Sequence, residues 1–132
     1  MIVLDASAAL DWILQTPVGR RIEERIFFGK ESLHAPHLID VEIAAALRRL
    51  EREGQISFPR IDQAFEDWMD LRIARYPHEV FLPEIWSHRH NYSAREAAYL
   101  VLAKKLGAAL LTRDRRLASG YGSVDGIKVE VF

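Results

Sequence analysis

Residues 2–10 read IVLDASAAL, and the parsing of this stretch decides the fold. Ile2, Val3 and Leu4 are apolar and partly β-branched, as in a strand buried on both faces. A carboxylate, Asp5, and a hydroxyl, Ser7, follow where the strand should end, and small residues then open a new apolar pattern. Asp and Ser are good helix caps, so one explanation of the acid is local. The other is that Asp5 stands at the carboxyl end of a strand in a parallel sheet, where α/β proteins collect their functional groups.

The rest of the chain repeats this alternation. A short helix is expected over Ser7–Leu14 and, after a break at Pro17 and Gly19, a second over Arg20–Phe28. Ser32–Ala35 reads as a strand stopped by Pro36, His37–Glu53 as a helix stopped by Gly54, and Arg60–Arg75 as a helix terminated at Tyr76-Pro77. Val80–Leu82 reads as a small strand, and Glu84–Asn91 fits no single pattern. Ser93–Leu106 is a helix closed by Gly107, Ala108–Thr112 a buried strand and Asp114–Ala118 a short helix. In a final strand over Ile127–Phe132, Ile127, Val129 and Val131 alternate with Lys128 and Glu130. Strands separated by helices predict an α/β fold with a central, mainly parallel sheet covered on both faces. Asp5 and Asp114, each just after a strand, should then share one edge.

Composition narrows the chemistry. A chain of 132 residues with no repeat or linker predicts a single domain, residues 1–132. Net charge is −1, so a polyanionic substrate would need a local basic patch or metal ions. The absence of cysteine excludes disulfides and thiolate metal sites. The longest apolar run, Ala97–Ala103, is too short to span a membrane, and Asp5 and Asp11 interrupt any secretory signal. The expected location is the cytoplasm.

Four acids carry the functional reading. Asp5 and Asp114 each have a capping explanation. Glu42 falls at the edge of the apolar arc Ile39, Ile43, Ala46, Leu47 and Leu50, where an unpaired carboxylate is costly, and Arg49 on the same flank is its plain structural partner. Glu96 lies on an apolar helix face, yet Ser93-Ala94-Arg95-Glu96 also matches a capping box. Together, two acids at strand ends and two early in helices can meet in one pocket. Repelling carboxylates need cations to remain ionised there, and an all-oxygen donor set favours Mg²⁺ or Mn²⁺ over zinc. The histidines of His34-x-x-His37 and His88-x-His90 read as surface or loop residues.

With IVLDASAALDW, HAPHLIDVEIAAALRR and SAREAAYLVLAKKLGAALLTRDRRL in this order, the chain resembles PIN-domain proteins, specifically VapC-type toxins of toxin–antitoxin pairs. The resemblance implies a Rossmann-like three-layer sandwich and a metal-dependent endoribonuclease using Mg²⁺ or Mn²⁺. By position it implies an acidic cluster of Asp5, Glu42, Glu96 and Asp114, catalytic and metal-binding, with Ser7 and Thr112 in support. At the third acid the family pattern usually has aspartate; Glu96 keeps the charge and adds a methylene.

Metal-activated water needs no covalent nucleophile, so Ser7 reads as a donor holding Asp5. Arg113, Arg115 and Arg116, flanking Asp114, read either as a substrate-binding patch or as the solvated start of a helix. The resemblance further implies an RNA substrate, a homodimer, and a VapB-type antitoxin in a hydrophobic groove near Trp12 and Phe27. Ile26 and Phe65, in the same aromatic-rich segments, read as ordinary core. Two other readings compete. A phosphoryl-accepting receiver domain would want a lysine after a late strand, where Thr112-Arg113 stands. A catalytically weakened interaction module on the same fold would bind little divalent metal.

Overall fold

The computed structural model describes residues 1–119 and 126–132. Ile2–Leu4 forms β1, the central strand of a sheet ordered β3-β2-β1-β4-β5 and parallel throughout. Its other members are β2 (Leu33–Pro36), β3 (Ile73–Tyr76), β4 (Ala109–Thr112) and β5 (Val129–Val131). Ile2, Val3, Leu4, Leu110 and Leu111 are wholly buried, as a sheet covered on both faces requires.

Two helices separate most successive strands. α1 (Ala6–Ile13) and α2 (Pro17–Gly29) precede β2, α3 (Leu38–Arg52) and α4 (Phe58–Asp70) precede β3, α5 (Leu82–Ser87) and α6 (Ala94–Leu106) precede β4, and α7 (Arg115–Ser119) follows β4. The strand order moves outward from β1 to β3, then returns past β1 to β4 and β5. Right-handed crossovers therefore put α1–α4 on one face and α5–α7 on the other. The packing agrees: α1 touches α2, α3 and α4, whereas α6 touches β1, β2, β4 and α5. This is the expected three-layer α/β sandwich. The Ala97–Ala103 run is buried all round, between the sheet and α5. No helix among the described residues is long and apolar enough to cross a membrane.

The expected Arg60–Arg75 helix in fact stops at Asp70, and Ile73–Tyr76 becomes edge strand β3. The cause is tertiary. Arg75 forks onto Asp40 of α3 at 2.7 and 2.9 Å, while Trp68 of α4, almost wholly buried, donates to the same carboxylate at 2.9 Å. That clamp turns the chain back to the sheet. Val80–Leu82 is not a strand: a 3₁₀ turn over Glu79–Phe81 runs into α5, whose first turn holds Pro83. Pro17 begins α2 rather than breaking the chain, with Thr16 as cap. His34 is no surface residue; it is buried in β2 between Ser32 Oγ (2.7 Å) and Tyr76 OH (2.8 Å). In β5 Glu130 is half-buried like its valine neighbours, because Arg25 forks onto it at 2.8 and 2.9 Å.

The α1–α2 corner is the tightest approach. A Cβ on Gly19 would lie 1.9 Å from the carbonyl oxygen of Asp11. Gly19→Ala should therefore lower stability by about 2 kcal/mol or more by forcing the helices apart. An unchanged urea midpoint would show that the corner yields freely.

Candidate active site

β1 and β4 are neighbours from which the chain departs to opposite faces, into α1 and α7. Such a reversal opens a crevice at the carboxyl ends of the strands. Asp5 sits there, 8% exposed, as the N-cap of α1. Its Oδ1 accepts from Ala8 N at 3.0 Å and Ser7 Oγ at 2.5 Å, and its Oδ2 accepts from the Thr112 hydroxyl. Thr112, wholly buried, also accepts from Asp114 N at 3.0 Å, and Ser7 Oγ accepts from Arg113 N at 3.0 Å. The two hydroxyls thus fasten the end of β1 to the loop after β4.

Glu42 reaches the crevice from α3 on one face, and Glu96 from the first turn of α6 on the other. Glu42 accepts from Tyr99 OH and from Arg95 Nε, each at 2.5 Å. Glu96 does complete the capping box: Oε2 accepts from Ser93 N at 3.0 Å, and its own N–H donates to Ser93 Oγ at 3.1 Å. Its other oxygen, Oε1, accepts from Arg116 at 3.2 Å. Asp114 takes Arg116 Nη2 at 2.8 Å and Arg116 N at 2.9 Å. All four acids line one cleft of about 310 Å³, together with Ser7, Arg95, Tyr99 and Arg116. As the side chains stand, no three acidic or histidine groups among the described residues form a ready-made metal cluster. Guanidinium groups from Arg95 and Arg116 counter the acids instead.

The family model described as PIN domain matches residues 2–122. This chain is a PIN-domain protein. It is 41% identical over 118 residues to ribonuclease VapC9 of Mycobacterium tuberculosis, covering 89% of each chain. Against ribonuclease VapC12 of the same species it is 35% identical, covering 92% of this chain and 93% of that one. It belongs with these VapC ribonucleases. Among solved structures, PAE2754 of Pyrobaculum aerophilum superposes with a TM-score of 0.68 at 20% identity, covering 97% of this chain and 82% of that one. Mycobacterium tuberculosis VapC20, a sarcin-ricin loop cleaving toxin, gives a TM-score of 0.65 at 13% identity, covering 92% of this chain and 95% of that one. At those identities the two structures bear on the fold.

The PIN-domain cleft contains two side chains absent from the sequence-level site. Glu42 is paired not with Arg49 but with Arg95 and Tyr99. Tyr99 lies one turn after Arg95, so the helical spacing was a usable signal. Burial and the adjacent Glu42 carboxylate push the Tyr99 phenol well above its ordinary range, which keeps it a donor. The hydrogen bonds from Arg116 hold Asp114 below the usual carboxylate range. Two of the three expected patch residues are committed, since Arg116 serves Asp114 and Glu96 while Arg113 lies 3.4 Å from Asp11; Arg115 is exposed and carries no ion pair among the described residues.

A separate, more apolar cleft of about 820 Å³ runs past Trp12, Ile26, Phe27, Leu71 and Ile73. Trp12 and Ile26 are buried beneath it, whereas Phe27 is 65% exposed. Phe65, expected in the core, is 46% exposed because α4 turns Ile61, Ala64 and Trp68 inward instead.

Burial raises the Asp5 pKa above the ordinary carboxylate range despite the donors around it. Folding thus disfavours its ionised form, and this carboxyl subtracts stability as pH rises from the ordinary range through its raised value. Asp5→Asn keeps the cap oxygen for Ala8 N. Without divalent ions, its melting temperature should exceed wild type at pH 7 by a few degrees, a gap that narrows toward pH 4. A gap constant over that range would mean that Asp5 ionisation is not the cause.

Proposed function

We propose that the acidic cleft is a divalent-cation-dependent ribonuclease centre and that the chain is the toxin of a VapB–VapC-type pair. The observation that carries this reading is the meeting of Asp5, Glu42, Glu96 and Asp114 in one crevice, from both faces of the sheet. The donor chemistry fits Mg²⁺ or Mn²⁺, because the cleft offers carboxylate and hydroxyl oxygens and is lined by no histidine. Asp5, Glu42, Glu96 and Asp114 would hold the ion. Such an ion, when bound, supplies Lewis-acid polarisation of a phosphate and a water acidic enough to act as nucleophile near neutral pH.

The chain's own groups prepare for that chemistry. Ser7 and Thr112 donate to Asp5, leaving its remaining lone pairs directed by two fixed hydroxyls. Tyr99 holds Glu42 through one oxygen. Glu96 spends Oε2 on its helix cap and keeps Oε1 toward the cleft, so capping and ligation are compatible in one side chain. Arg95 and Arg116 are 75% and 80% exposed at the side chain, long enough to turn from the carboxylates to a phosphate.

The remaining partners follow from the same reading. The substrate is RNA, and the cleft beside Trp12 and Phe27 receives a VapB-type antitoxin. Residues 1–132 act as one domain, as a homodimer, in the cytoplasm.

Asp5→Asn should abolish RNA cleavage in a gel assay with Mn²⁺ while remaining folded; wild-type activity in that variant would remove the charge from the mechanism. Millimolar Mn²⁺ should raise the melting temperature of wild type by mass action, and Glu42→Gln should blunt that rise. A protein indifferent to Mn²⁺ would instead be an interaction module.

Glu96→Gln separates its two roles. Gln can cap Ser93 N as Glu does, yet is a poor ligand for a hard cation. The variant should melt close to wild type and lose most Mn²⁺-dependent cleavage. Ser93→Ala should lose about 1 kcal/mol of stability and little activity. Full cleavage by Glu96→Gln would reduce Glu96 to a cap.

A further inference from the structure

A ribonuclease with a net charge of −1 and an acidic cleft must find positive charge for its substrate somewhere. Arg113 and Arg116, beside the cleft, are already occupied by acids of this chain. Arg115, next to Asp114, is exposed and carries no ion pair among the described residues, and further free guanidinium groups lie along α3. Arg48, Arg49 and Arg52 are exposed on the outer side of α3, and none is ion-paired among the described residues. A helix C-terminus favours cations, which accounts for Arg49 and Arg52 in the last turn of α3. It does not account for what joins them to the cleft.

Three concavities run end to end. The acidic cleft shares Ala6, Ser7, Glu42 and Arg95 with a trough of about 620 Å³ between α1 and α3. The trough is floored by small and aliphatic groups, among them Leu10, Leu38, Ala45 and Val41, the last 73% exposed. It shares Ala45 and Arg49 with a third recess of about 430 Å³, formed by Arg48, Arg49 and Arg52 with Glu53. From Glu42 to Arg52 the path follows ten residues of helix, about 15 Å. An apolar trough with Arg95 where it meets the cleft and Arg49 where it meets the arginine recess offers aliphatic surface to bases and cations to phosphates on either side of it.

We propose that single-stranded RNA leaves the acidic cleft past Arg95 and runs along α3, its bases over the apolar trough and its phosphates on Arg48, Arg49 and Arg52. The proposal rests on the ribonuclease reading and adds the route of the substrate outside the reacting centre. Arg95 stands at the junction of cleft and trough, where turning from Glu42 would bring it to the first phosphate of the track.

The test is anisotropy of a labelled single-stranded RNA of a dozen nucleotides, titrated with the full chain in EDTA, so that binding is read without cleavage. Salt dependence is measured for wild type, Arg48→Gln/Arg49→Gln/Arg52→Gln and the matching triple-lysine variant. Each lost phosphate contact lowers the slope of log K against log salt by about 0.7 for single strands, so the glutamine triple should lose about 2 from the slope. The lysine triple should keep it. A glutamine triple with the wild-type slope overturns the track, and does so most directly if it has instead lost a co-expressed protein partner. Wild type that binds no RNA at low salt also overturns it, while cleavage assayed separately with Mn²⁺ still decides the ribonuclease reading.

Discussion

A carboxylate almost wholly removed from water must be given donors by the fold, and Asp5 sets that demand at the centre of the sheet. Its donors come from three places: the first turn of α1, the side chain of Ser7, and Thr112 at the end of β4. Meeting the demand fixes the register of β1 against β4, starts α1 at Ala6, and steers the loop that carries Asp114. Glu42 and Glu96 then arrive because α3 and α6 both begin at this end of the sheet, from opposite layers. The acidic cleft is thus a consequence of strand order rather than of any single motif.

The cleft balances repulsion in a specific way. Four acids share it, and two exposed arginines from the same chain answer three of them. Of the four, Asp5 alone has no cationic partner among the described residues and is the most deeply buried; hydroxyl and amide dipoles serve it instead. Flexible arginine stems offer charge that can be withdrawn, whereas Tyr99, Ser7 and Thr112 are held by packing and stay in place. The site therefore combines a fixed frame of neutral donors with a movable set of cations.

Much of this was legible in the chain. The run IVLD announced a buried strand ending on an acid, and AALLTRD announced a second, so the sheet and its edge could be inferred from pattern alone. Glu96 was legible twice, as a cap and as an acid facing the cleft, and its two carboxylate oxygens divide between Ser93 N and Arg116. What could not be read was long-range. Nothing local in Ile73–Tyr76 outweighs helical spacing; the strand exists because Asp40, over thirty residues earlier, captures Arg75. Arg95 was hidden for the same reason, since its partner Glu42 lies fifty-three positions away. Phe65 shows the converse, an aromatic residue left outside because smaller neighbours already filled the face of α4.

The tie between Asp5 and Thr112 joins residues separated by 107 positions. A chain emerging from the ribosome therefore carries Asp5 long before the strand that completes its environment has been made. Until β4 is translated and inserted between β1 and its eventual outer neighbour, no crevice exists for the acids to share. Assembly is necessarily late and dominated by distant pairings, which folds slowly relative to local architectures. Synthesis itself thus imposes a delay between the first residue of the site and the first competent molecule, a built-in latency for the cell that makes it.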